Sequence, residues 1–223
     1  MRSSVLAVSG VSKSFRRGPE VIHALRAVSL EIFAGEMVAI VGPSGSGKTT
    51  LLNVMGGWET PDEGSVERHT TGQDVDPLGW KAVGIVPQRL ALLEELPVYE
   101  NVELPLVLAN SLDDESVASA RALMEELDVQ HLGRRRPLQT SLGEQQRTAM
   151  ARALVLRPDV VLADEPTGHQ DADHAATVIA ALRTTVARGA AVVIATHDVG
   201  IRAVCDRTFE MADGSTIGEA AVQ

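Results

Sequence analysis

Cysteine occurs once in these 223 residues, at Cys205, so no intramolecular disulfide can form and a cytosolic setting is the simplest reading. Nothing near Cys205 suggests a nucleophile, and a small packing residue is expected there. A basic excess is also missing. The net charge of −10 argues against a sequence-independent grip on nucleic acid, and no nucleic-acid partner is expected. No uninterrupted apolar run approaches the ~20 residues that cross a bilayer. The first eight residues lack the longer apolar region and cleavage site of a signal peptide. Internal repeats and low-complexity segments are absent, and aromatics make up only 3% of the chain. What remains, 44% hydrophobic and 22% charged residues, is ordinary for a globular protein with a substantial core.

Against that background one stretch stands out. Gly42, Pro43, Ser44, Gly45, Ser46, Gly47, Lys48 and Thr49 match the phosphate-binding pattern GxxxxGK[ST]. The apolar run 37–41 before it reads as a buried strand, and Thr50 to Met55 after it reads as the first turns of a helix. Glycines allow successive N–H groups to turn inward around an anion, and the helix adds its N-terminal donors. Lys48 then reaches the outer phosphates, and the Thr49 hydroxyl helps to hold Mg²⁺.

Elsewhere, short strands are expected at 5–8 and 27–32, with a hairpin or loop over 13–20 around Gly18 and Pro19. Phe15 falls in that segment, where its ring can stack on a base or anchor a small sheet. Turns and an irregular edge are expected between 56 and 80, then a core strand over 82–86 that ends at Pro87 and Gln88. Two prolines make 97–108 a broken helix or two short ones. Helical spacing of Val117, Ala120, Met124 and Leu127 predicts a helix over 113–129, with Ser111 and Asp114 as its capping pair. The basic run Arg134, Arg135, Arg136 is expected to stay solvated. A capped helix over 141–156 has Ser141 as N-cap and Glu144 three residues on. Apolar strands at 160–164 and 191–196 flank a helix over about 173–188, ending at Asp164-Glu165 and at His197.

Strands alternating with helices indicate a parallel α/β sheet, whose ligands bind at the carboxyl ends of the strands. The polar groups at 42–49, Gln88, Asp164-Glu165 and His197 all fall at such ends. Paired carboxylates there can be mere helix caps. Beside a phosphate loop they form the minimal kit for a Mg²⁺–nucleotide site. Asp164 serves the metal, and Glu165 orients and polarises a water. Gln88 and His197 are placed to sense the γ-phosphate.

With these residues in view, the chain resembles the ATPase subunits of ABC transporters from about residue 4 to 218. The sequences at 35–40, 100–105 and 163–168 point to the group serving lipoprotein release and macrolide efflux. The resemblance implies an α/β P-loop NTPase fold of ABC type. That fold has a mainly parallel core sheet, an N-terminal antiparallel β-subdomain and an α-helical subdomain at about 89–157, all within one ATPase domain over 1–223. By the same resemblance Phe15 is the adenine-stacking residue, and 42–49 with Thr50 bind the phosphates. Gln88 is a metal-site residue that links to the permease, Asp164 is the Mg²⁺-side aspartate, Glu165 the catalytic glutamate and His197 the switch histidine. Ser141, Gly143 and Glu144 belong to the signature motif, which caps ATP held by a partner subunit. The implied activity is ATP hydrolysis. It energises separately encoded membrane permease subunits, for export or membrane extraction, from a head-to-tail homodimer or heterodimer on the inner face of the membrane. A transmission module that moves no solute, or a soluble ABC ATPase of DNA repair or translation, would share these residues. The acidic charge and the lack of a second cassette count against the last.

The departures from the family pattern are local. The signature's first glycine is Leu142 here. If that position needs positive φ or close approach to a γ-phosphate, a branched side chain strains it by roughly 1 kcal/mol or more. His169 and Gln170 replace the usual asparagine and leucine, Pro87 replaces an aromatic, and the stretch over about 72–82 is short. These changes predict ATP binding near family strength, with slow or strongly partner-dependent hydrolysis.

Overall fold

The computed structural model describes residues 3–69, 80–168 and 170–221. The shortened stretch near 72–82 therefore lies mostly outside the described residues, as does His169.

Two sheets organise the chain. The smaller is antiparallel, in the order β2 (Glu20–Phe33), β1 (Ser4–Arg17), β4 (Glu63–Arg68). The larger has six strands, in the order β5 (Val83–Val86), β6 (Val160–Asp164), β7 (Ala191–Thr196), β3 (Met37–Val41), β8 (Arg207–Ala212), β9 (Ser215–Ala221). All its neighbours run parallel except β8 and β9. The expected α/β architecture, an antiparallel sheet beside a mainly parallel one, is what the chain adopts.

The central strands read as unbroken apolar runs because both of their faces are covered. Met37, Val161, Ala163, Val192 and Ile194 pack toward helices α2 (Val98–Leu108), α3 (Asp114–Glu126), α4 (Leu142–Leu154) and α5 (Ala172–Ala187). Their alternates Val38, Ile40, Leu162, Val193 and Ala195 pack toward the antiparallel sheet and α1 (Lys48–Gly56). Helix α1 buries Leu51, Leu52, Val54 and Met55 there. Each such side chain contributes about 1.5–3 kcal/mol, which fixes the helix that carries Lys48 and Thr49. No helix among the described residues is long and apolar enough to cross a membrane. Cys205 is buried and free, as a packing residue.

Of the two readings for 13–20 the hairpin is the one that forms, with both strands running up to the turn at Gly18-Pro19, so Phe15 lies on a strand. Other local expectations change. The prolines do not break α2. Pro97 is its N-cap, and Pro105 falls in the last turn, where the Ala109 N–H still bonds to the Pro105 carbonyl. The cap of α3 is Asp113 with Ser116, not Ser111 with Asp114. Each of the two residues accepts the other's backbone N–H at 2.8 Å, closing a capping box. The expected irregular edge at 56–80 contains β4, and β8, β9 and α6 (Val199–Val204) complete the C-terminal part. The arginines at 134–136 are exposed, as expected. The Ser141–Glu144 capping box forms as read, with the Glu144 carboxylate accepting the Ser141 N–H at 2.6 Å.

Candidate active site

The phosphate loop leaves the end of β3 and is wedged between the β2 hairpin and β8. At Gly42 a Cβ would stand 2.2 Å from the Met211 carbonyl oxygen. At Gly47 it would stand 2.3 Å from the Ala24 carbonyl oxygen, and the φ of 101° there is one that side chains disfavour. Ser46 is buried, and its hydroxyl has no partner. Lys48 opens α1, and its ammonium donates to the Gly42 and Pro43 carbonyls at 2.8 and 3.0 Å. That leaves its third N–H for another acceptor. An orphaned hydroxyl, a spare ammonium proton and glycines that no other residue can replace without a clash fit a phosphate chain.

Asp164 ends β6 beside this loop. Thr49 Oγ1 donates to Asp164 Oδ2 at 2.6 Å, which ties α1 to the central sheet. Only 5% of Asp164 is exposed, and burial pushes its carboxyl above the ordinary aspartate value. The Thr49 hydroxyl and Lys48 pull the other way, while the Glu165 charge adds to the rise. The described residues hold no cluster of three or more His, Cys, Asp or Glu that could cage a metal alone. A hydroxyl and a carboxylate are instead the hard-oxygen pair that suits Mg²⁺ when a phosphate ligand supplies further oxygens.

Glu165 turns the chain out of β6 with a φ of 50°. Its N–H donates to the Ala195 carbonyl at 2.9 Å. Its Oε1 lies 2.6 Å from His197 Nδ1, and its Oε2 accepts from Thr196 Oγ1 at 3.1 Å. The Glu165 carbonyl accepts from Gln146 Nε2 at 2.6 Å. A carboxylate held through both oxygens beside a phosphate loop can accept a proton from a water aligned on a phosphorus.

These groups open on one cleft of about 1020 Å³, lined also by Ser44, Gly45, Thr50, Gln88 and, at one end, Phe15. The Phe15 ring has Lys13 Nζ 5.4 Å from its centroid and lines the cleft, so it is available for stacking. Gln88 faces the same space without a hydrogen bond to Thr49 or Asp164, so only its position follows the expectation. Pro43 borders a smaller adjoining pocket with His197.

The signature residues behave differently. Ser141, Gly143 and Glu144 do not line this cleft. The Glu144 carboxyl is instead a local cap, held below its ordinary value chiefly by the Ser141 N–H. Leu142 is the first residue of α4, is 47% exposed and is not among the residues with positive φ. The backbone strain considered for it therefore does not arise, because a helix start takes leucine without cost. Its side chain lines the cleft.

Sequence reasoning missed Thr196 and Gln146. Thr196 directly precedes His197 at a strand end. Gln146 lies two residues beyond Glu144, the last residue assigned to the signature motif.

The sequence model of the ABC transporter family matches residues 25–168. The lipoprotein-releasing system ATP-binding protein LolD of Chromohalobacter salexigens is 39% identical over 94% of this chain and 92% of its own length. The macrolide export ATP-binding/permease protein MacB of Rhodopseudomonas palustris is 38% identical over 99% of this chain. The chain spans only 35% of that longer protein. The dimeric ATP-binding cassette MJ0796, solved in a post-hydrolysis state bound to ADP and Pi, superposes with a TM-score of 0.89. It is 33% identical and covers 98% of this chain and 99% of that one. With its phosphate loop, Asp164-Glu165 and His197 converging on one cleft, and with these relatives matching along nearly its whole length, the chain belongs to the ABC transporter family as an ATP-binding cassette.

Proposed function

We propose that the chain is the ATP-binding and hydrolysing subunit of an ABC transporter, a single cassette with residues 89–157 as its helical subdomain. It works as a dimer on the inner face of the cell membrane. It drives a separate permease that exports a substrate or extracts it from the membrane. The names of the relatives, for lipoprotein release, macrolide export and pyoverdine export, support that direction.

The observation that carries the reading is the Thr49–Asp164 hydrogen bond of 2.6 Å, which joins the phosphate loop to the strand whose next residue is Glu165. The amides of 44–49, the Ser46 hydroxyl and Lys48 hold the phosphates, and Phe15 stacks on the adenine. Thr49 and Asp164, with Gln88 nearby, hold Mg²⁺, which when bound neutralises charge on the phosphate oxygens. Glu165 takes a proton as water oxygen bonds to the γ-phosphorus and the bond to the β–γ bridging oxygen breaks, giving ADP and phosphate. Thr196 and His197 hold the two carboxylate oxygens in place. Ser141, Gly143 and Glu144 close the site from a second subunit. Gln88, at the end of β5, relays the state of the site to the permease.

Glu165→Gln keeps the shape of the side chain and removes the base. Turnover should fall about 10²- to 10⁴-fold while ATP still raises the melting temperature. Turnover at the wild-type rate would remove Glu165 from the mechanism.

A further inference from the structure

Glu165 is held in a backbone conformation that an L-residue disfavours, with φ at 50°, so its surroundings must impose it. Three donors do so at the main chain and its neighbours: the Gly168 N–H reaches the Glu165 carbonyl at 3.1 Å, the Glu165 N–H is tied to Ala195, and Gln146 Nε2 meets the carbonyl at 2.6 Å. Only the last comes from a side chain, and it comes from a different element, one turn into α4. Gln146 is only 5% exposed, so little solvent competes for its amide. Its own carbonyl oxygen lies 3.4 Å from Gln170 Nε2, which also reaches the Pro166 carbonyl at 3.3 Å. Gln170 Oε1 is buried without a partner. A buried polar atom left unpaired is tolerated where the rest of the side chain is needed, and a leucine at this position would avoid it.

We propose that Gln146 is a positioning residue for the Glu165 carboxylate and that Gln170 braces it. The amide of Gln146 fixes the left-handed turn at Glu165, and that turn aims the side chain between Thr196 and His197. Gln170 holds the Gln146 amide in the orientation that presents Nε2, not Oε1, to the carbonyl. The inference rests on the reading of Glu165 as the base.

A double-mutant cycle on the full chain tests it, with single-turnover release of γ-phosphate from Mg²⁺–ATP as the readout. Gln146→Met keeps length and volume but cannot donate. It should lower the rate about tenfold, the loss of one hydrogen bond, with ATP affinity unchanged. In the Glu165→Gln background the same change should have no further effect, because a residue that acts only through the base is silent once the base is gone. Losses that multiply in the double variant, or a wild-type rate in Gln146→Met, would overturn the proposal. Gln170→Leu removes the brace and the orphaned oxygen without opening a cavity, so it should fold at least as well as the wild type and turn over two- to threefold more slowly, by about the worth of one weak contact. If Gln146→Met does not fold, Gln170→Leu decides: a wild-type rate, or a loss that persists beside Glu165→Gln, overturns the proposal. Failure of the functional reading looks different, because Glu165→Gln alone would then keep the wild-type rate.

Discussion

Three glycines of the phosphate loop separate two kinds of backbone demand, and alanine at each should produce a different loss. Gly45 has a φ of 80° but no atom within 4 Å of a would-be Cβ, so Gly45→Ala meets conformational strain alone. That strain is about 1–2 kcal/mol for an L-residue in the left-handed region. Gly42 has no positive φ but would press its Cβ to 2.2 Å from the Met211 carbonyl oxygen. A backbone oxygen in the central sheet cannot swing aside, so relief must come from moving the loop, about 1–3 kcal/mol by analogy with overpacking. Gly47 meets both demands, with φ 101° and the Ala24 carbonyl oxygen at 2.3 Å, for a total of about 2–5 kcal/mol. A domain of this size loses about 2–4 °C of melting temperature per kcal/mol, so Gly45→Ala should melt a few degrees low and Gly47→Ala lowest or level with Gly42→Ala. Thermal melts of the three variants without nucleotide give the ranking. Melts with Mg²⁺–ATP then report binding, and there Gly45→Ala should suffer despite its stability, because Gly45 lines the cleft. If Gly47→Ala melts with or above Gly45→Ala, the loop can leave the β2 hairpin at no cost and the wedge argument fails.

Leu142→Gly should raise ATP turnover, since it removes an exposed branched side chain that lines the cleft from the start of α4, at a cost of up to ~1 kcal/mol in helix stability. An unchanged rate would show that Leu142 does not obstruct the site. Asp164→Asn should melt higher than the wild type at neutral pH, because burial raises the carboxyl above its ordinary 3.8 and so disfavours the folded state once the group is charged. A raised folded value means that its favourable contribution is complete below 3.8 and is lost as pH rises through the folded value. The gap between variant and wild type in melts across pH should therefore open over that window, and a constant gap would contradict the assignment. Burial pushes the Cys205 thiol up to about 12, so thiol reagents at pH 8 should label it only after denaturant is added. Prompt labelling of the folded chain would show that the site opens.

What the sequence by itself determined was local. The phosphate loop was legible because its glycines, its lysine and the start of α1 are contiguous, and each does its work within a few residues. The strands 37–41, 160–164 and 191–196 were legible because burial on both faces leaves an uninterrupted apolar run. The Ser141–Glu144 box at the start of α4 was legible because both hydrogen bonds close within one turn. The polar strand β4 was not, since Glu63–Arg68 carries no alternation and becomes a strand only by pairing with β1. The cap of α3 was displaced because serine and aspartate occupy competing frames there, and only the folded geometry selects Asp113. The site itself was decided by tertiary structure. Thr49 meets Asp164 from 115 residues away, His197 meets Glu165 from 32, and Gln146 reaches the Glu165 carbonyl from 19. Those contacts depend on strand order and on the turn at Glu165, where backbone direction is set by neighbouring elements and not by the residue's own preference.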